Sequence, residues 1–105
     1  MTALAKLSGK WGLRWWCPGC EENHIVPVRQ LGARHNPDRP NVPDGWDWNE
    51  SWDSPTLQPS VLVCGGSENS RCHCFVREGT IEFLADSSHA LAGQTVPMVP
   101  VSSWP

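Results

Sequence analysis

Cys17-Pro18-Gly19-Cys20 carries the most specific chemistry in the chain. Two thiolates can share one tetrahedral ion when a tight turn sets them roughly 3.8 Å apart, with Zn–S bonds near ~2.3 Å. Gly19 is expected to supply the unusual backbone angles of that turn. A thioredoxin-like redox pair would open a helix, whereas Glu21-Glu22-Asn23 leads back toward a strand, so a metal is the favoured reading.

The rest of the ligand set must come from His24, Cys72, His73, Cys74 or His89. In a strand, Cys72 and Cys74 share one face and stand about 6.6 Å apart, which strains short side chains reaching for one ion, while His73 points to the other face. The expectation is therefore a Cys3His zinc site of Cys17, Cys20, Cys72 and His89, with His73 the main rival for either of the last two places. His24 has three readings: it binds the ion, it orients a ligand, or it packs passively. Cys74 and Cys64 read as buried thiols and His35 as a solvated loop residue. Asp86 reads first as a helix cap, next as an acceptor that orients a ligand, and last as a catalytic carboxylate.

The elements that position these residues read as short strands. Leu13-Arg14-Trp15-Trp16 runs into the Cys-Pro-Gly-Cys turn, and His24 to Val28 forms the returning strand, with Pro27 marking an edge. Trp46 to Trp48 and Ser60 to Cys64 read as further strands. Residues 71–77 and 80–84, joined by Glu78-Gly79, give the clearest hairpin and the centre of the sheet. Residues 86–92 read as one or two helical turns stopped by Gly93. The fold class expected is small α+β, mostly β: a short antiparallel sheet with a zinc-ribbon-like knuckle hairpin and one short helix. Residues 1–105 read as a single zinc-stabilised domain, with a proline-rich loop at 32–44 and an extended tail at 94–105.

Composition narrows the function. A chain of 105 residues buries only about two thirds of its unfolded surface, and a bound metal would supply missing stability. The net charge of −3 leaves no excess of Lys and Arg for phosphates or an anionic membrane, which disfavours nucleic acid. No apolar run approaches the roughly 20 residues that cross a bilayer, and the first twelve residues lack a signal-peptide core, so a cytoplasmic location is expected. Seven Trp supply much of the apolar mass. Trp15, Trp46, Trp48 and Trp52 fill a small core or form a recognition surface, and Trp52, between Glu50 and Asp53, is the expected partner contact.

These motifs in order resemble a family of short phage and prophage zinc-binding proteins of unknown function, often labelled "ammonia monooxygenase". The resemblance spans residues 13–104 and rests on Trp-Trp-Cys-Pro-Gly-Cys with His24, Gly45-Trp46-Asp47-Trp48-Asn49, Ser54-Pro55-Thr56, Pro59-Ser60, Cys72-His73, and Asp86 with His89 to Val96. It implies that Cys17, Cys20, His24, Cys72, His73, Asp86 and His89 lie on family positions, whereas Cys64 and Cys74 do not. The monooxygenase label fits no copper-ligand framework here. Where relatives read Trp-Asn-Gly this chain has Trp48-Asn49-Glu50, with Trp52 nearby and a longer 32–44 loop. Some relatives lie beside bacterial ubiquitin-like conjugation genes, which implies an accessory or ligase-like role.

The leading expectation is thus a non-enzymatic zinc module that binds a host or phage protein, with a homo-oligomer left open. The alternatives are a zinc-dependent hydrolase or transferase using His24, His73 or Asp86 for proton transfer, and an accessory factor of a ubiquitin-like conjugation system.

Overall fold

The computed structural model describes residues 2–32, 45–64 and 71–105. Within them the regular structure is almost wholly short antiparallel strands, as the Pro, Gly and Trp content favours. Strands β1 (Lys6–Ser8), β2 (Gly12–Cys17) and β3 (Glu22–Pro27) make one sheet in the order β1-β2-β3. Pro27 therefore closes an edge strand, where its missing N–H breaks no ladder. Val28 then bridges to Trp46, ahead of the two-stranded ribbon of β4 (Asp47–Trp48) and β5 (Leu57–Gln58).

The third sheet carries most of the chemistry. It orders β6 (Val61–Cys64), β7 (Arg71–Arg77), β8 (Thr80–Phe83) and β9 (Thr95–Pro97) side by side. β7 is central and alternates cleanly: Cys72, Cys74 and Val76 are buried, while Arg71, His73, Phe75 and Arg77 face outward. The Glu78-Gly79 turn that joins β7 to β8 has both residues at positive φ, 47° and 79°, the two-residue geometry that matches strand twist.

Buried side chains of the two larger sheets form one cluster: Leu13, Trp15 and Cys17 from β2, Val26 from β3, Val61 from β6, Cys72, Cys74 and Val76 from β7, and Ile81 and Phe83 from β8. Cys74 is thus the buried thiol expected of it. Trp48 is buried in this cluster, whereas Trp46 is half-buried against it.

Three details differ from the sequence reading. Residues 86–93 form successive turns instead of a helix, because Ser87 and Ser88 spend their hydroxyls on the backbone of β7 (below); the short helical turns are at Arg29–Leu31 and Val101–Ser103. The tail is extended at Thr95–Pro97, which pairs with β8, but not throughout, since Val101–Ser103 makes a helical turn. The loop expected at 32–44 lies, apart from Gly32, outside the described residues, as does His35.

Candidate active site and metal centre

The knuckle is a hairpin turn whose geometry follows from its four residues. Cys17 ends β2, Glu21 N–H donates to the Cys17 carbonyl at 2.8 Å, and Cys20 N–H points at Cys17 Sγ at 3.4 Å. The left-handed residue is Glu21, φ 55°, and not Gly19. Gly19 is needed for another reason: a Cβ there would clash with the imidazole ring of His89.

β2, β3 and β7 bring four ligand-type side chains together. Ligand atoms of Cys17, Cys20, His24 and Cys72 all lie within 4.8 Å of one another. Cys17 Sγ and Cys72 Sγ stand 3.8 Å apart, the separation that two thiolates take on one tetrahedral ion. His24 is 3% exposed, and its Nε2 is buried with no hydrogen-bond partner among the described residues. An orphaned buried imidazole nitrogen is costly unless something binds it.

The electrostatics point the same way. The Cys17 thiol is pushed up to about 12 by its contact with Cys72 and by burial. Cys20 is pushed up to about 11 by burial and by its neighbour Cys17. For Cys72 the contact with Cys17 lowers the value, but Cys74 and burial outweigh it and the net direction is upward. Three thiols at one point, those of Cys17 and Cys72 buried and that of Cys20 half-buried, therefore resist ionisation by themselves, and a divalent cation is what would let them ionise together. The donor set, the spacing and the orphaned nitrogen all fit Zn2+.

Of the four expected ligands, Cys17, Cys20 and Cys72 are in this group and His89 is not. His89 packs edge-on against Phe83, with ring centroids 4.6 Å apart, and its Nδ1 accepts the Leu91 N–H at 3.2 Å. Burial lowers its pKa. His89 thus covers the Cys-Pro-Gly-Cys turn from outside, while His24, two residues into β3 and edge-on to Trp15, occupies the place expected of it.

His73, the rival ligand, faces the opposite side of β7 and meets different partners. Its Nδ1 lies 3.1 Å from Asp86 Oδ2 and 3.2 Å from Oδ1, and its Nε2 lies 3.1 Å from Ser60 Oγ. These partners assign the tautomer: Nδ1–H donates to the carboxylate, and Nε2 accepts the Ser60 hydroxyl. A hydroxyl, an imidazole and a carboxylate in this order are the arrangement of a serine-hydrolase triad, which is recognised by geometry and not by position in the chain. Ser60 sits just before β6, and its carbonyl accepts the Trp46 indole N–H at 3.2 Å.

The loop bearing Asp86 is clasped to β7. Ser87 Oγ accepts the His73 N–H and donates to the His73 carbonyl, both at 3.0 Å, so one side chain satisfies both peptide groups of the histidine. Ser88 Oγ does the same for Arg71, at 2.8 and 3.1 Å. Arg71 Nη1 stands 3.7 Å from Asp86 Oδ2 and holds negative charge beside the imidazole.

Sequence reasoning named His73 and Asp86 as proton-handling candidates but passed over Ser60. A serine without a strained glycine-flanked turn around it gives no local signal; its place in the Pro59-Ser60 motif was the one available hint. Trp52, the expected partner contact, is 38% exposed and packs edge-on against Trp48, with centroids 4.6 Å apart. No helix of the described residues is long and apolar enough to cross a membrane.

No curated protein and no solved structure matches this chain. A protein-family comparison matches residues 2–84, a span that holds Ser60, His73 and the four clustered Cys and His residues and stops two residues short of Asp86. The chain belongs to the family described as bacterial ubiquitination-like system serine protease, BubE.

Proposed function

We propose that this chain is a serine hydrolase of the peptidase type, with Ser60 as nucleophile, His73 as general base and acid, and Asp86 as the group that orients and stabilises His73. The observation that carries this reading is the continuous hydrogen-bonded series Ser60 Oγ–His73 Nε2 and His73 Nδ1–Asp86. In acylation Ser60 Oγ attacks the scissile carbonyl while its proton passes to His73 Nε2, and the imidazolium then protonates the leaving amine. Water attacks the resulting acyl-serine in deacylation, giving a proton to His73, which passes it to Ser60 Oγ as the acyl–oxygen bond breaks and the carboxylate product leaves. The buried clasp from Ser87 keeps the imidazole at one height over Ser60 during both transfers.

Cys17, Cys20, His24 and Cys72 are proposed to hold one Zn2+, with His24 and not His89 as the fourth ligand, on the strength of their mutual spacing, since Nε2 of both histidines is buried without a partner among the described residues. Zn2+ in a site closed by four protein ligands supplies folding energy and no reactive water. This reading departs from a purely non-enzymatic module, because the triad has no evident structural purpose on a half-exposed sheet face.

The family description supports a substrate within a bacterial ubiquitination-like system, so the proposed partner is a ubiquitin-like protein or its conjugate, with Trp52 a candidate contact. The test is incubation of the purified protein with a C-terminally extended ubiquitin-like protein from such a system. Cleavage by the native chain and none by Ser60→Ala supports the proposal, and equal cleavage by both sinks it.

A further inference from the structure

The sheet face that carries the triad continues past Ser60 into a cleft of about 680 Å³. Pro59, the residue before the nucleophile, lines it on one side. Phe75 and Arg77, which follow His73 at two and four residues on the same face of β7, line it on the other. Because Val61 pairs with Cys74 in an antiparallel register, one step back along β6 and one step forward along β7 sets Ser60 beside Phe75. The cleft therefore begins where the proposed nucleophile ends. Its size falls within the roughly 300–1,000 Å³ of clefts that enclose ligands larger than one side chain.

The lining has a definite chemistry. Leu57, Pro59 and Phe75 give it apolar surface. The Arg77 guanidinium lies 4.1 Å from the Phe75 ring centre and pairs with Glu82 at 3.1 Å, so its charge is already matched. Two further carboxylates, Asp47 and Glu78, line the same cleft. Asp47 is met by Arg29 at 3.2 Å. Glu78 is held in place by its backbone, whose N–H donates to Thr56 Oγ1 at 2.8 Å, leaving the side chain on the exposed turn. An apolar floor with carboxylates around it favours apolar and cationic groups and repels anionic ones.

Resting on the serine-hydrolase reading, we propose that this cleft binds the extended stretch of substrate peptide adjoining the scissile bond, and that Phe75 and Glu78 make it select apolar and basic side chains over acidic ones.

The experiment maps cleavage sites by mass spectrometry in a mixed-sequence decapeptide library, using the native chain, Phe75→Ala and Glu78→Lys. In parallel, the reaction of Ser60 with a fluorophosphonate and the hydrolysis of p-nitrophenyl acetate report on the triad alone. The expected native cuts fall beside Leu, Phe, Lys or Arg and avoid Asp and Glu. Phe75→Ala should lower kcat/KM on the preferred apolar peptide by about ten-fold more than it lowers hydrolysis of the small ester, the scale of lost side-chain contacts in a pocket. Glu78→Lys should weaken the preference for basic residues and admit acidic ones. Cuts with unchanged preferences in both variants would overturn the inference, as would a library left uncut while Ser60 still reacts with the fluorophosphonate. A Ser60 that does not react at all would overturn the hydrolase reading first, and this inference with it.

Discussion

Cys72 and His73 are neighbours on β7 whose side chains leave the strand on opposite faces, one into the buried Cys/His group and the other to Asp86 and Ser60. Strand geometry makes this unavoidable, since successive side chains alternate. One peptide unit therefore links the candidate metal group to the histidine proposed as general base.

Removing the carboxylate should separate geometry from chemistry. In Asp86→Asn the imidazole keeps a neighbour at Nδ1 but loses the partner that fixes its tautomer, so kcat should fall by about 10³ to 10⁴. The melting temperature should change little, because Asp86 is about half exposed. Steady-state kinetics with circular dichroism melts check both expectations, and a variant that retains most of its activity would remove Asp86 from the mechanism.

The ligand assignment is tested by metal content. Cys17→Ser, Cys20→Ser and His24→Ala should each lose the single zinc and melt well below the native chain, because metal-binding energy adds to folding energy in so small a core. His89→Ala should keep its zinc and lose only packing against Phe83 and Gly19. Metal analysis by plasma mass spectrometry on the folded fraction decides it. Loss of zinc from His89→Ala with retention in His24→Ala would restore His89 as the ligand.

Chelated protein should show a particular pH dependence. The thiols of Cys17 and Cys20 are raised in the folded chain from 9.0 to about 12 and about 11. A group whose folded pKa is raised contributes stability that is fully present below its unfolded pKa and lost as pH rises toward the folded value. The metal-free fold should therefore lose stability as pH increases from about 9 to about 11, as the unfolded chain gives up its protons first. Urea titrations of the chelated chain across that range measure it, and a flat profile would show that the thiols are not crowded together in the metal-free fold.

Ser87 is expected to act as a positioning residue. Its hydroxyl accepts the His73 N–H and shares the His73 carbonyl with the Leu84 N–H, so Ser87→Ala leaves the His73 N–H short of its partner. The expected outcome is a fall in kcat of about ten-fold, KM within about two-fold, and a modest loss of stability on the order of 1–3 kcal/mol. Ser88→Ala, which frees Arg71 instead, should cost stability alone. Equal kinetics in the two variants would mean that the clasp does not orient the histidine.

Much of this architecture was legible in the residues themselves. The Cys-Pro-Gly-Cys turn, the 71–84 hairpin and the burial of Cys74 follow from spacing and alternation, which are local properties of a strand. Which histidine stands among the three cysteines was not legible, because His24 and His89 both approach the knuckle in space. Sequence gave no means of seeing that one enters it from β3 while the other lies on its outer surface. The helix expected at 86–92 failed because Ser87 and Ser88 bond to a distant strand instead of capping their own turn, a tertiary competition that no window of sequence contains. Ser60 was hidden for the same reason: its partners stand 13 and 26 residues away, and the register of β6 on β7 brings the first of them to it.

The central claim is that Ser60 is a nucleophile activated by His73. The most direct measurement is the intact mass of the zinc-loaded protein after brief exposure to a fluorophosphonate, with the modified residue located by peptide mapping. The account predicts one adduct per chain, on Ser60, formed at least about 10²-fold more slowly in His73→Ala. No adduct on Ser60, or an adduct that forms as fast without His73, would contradict it.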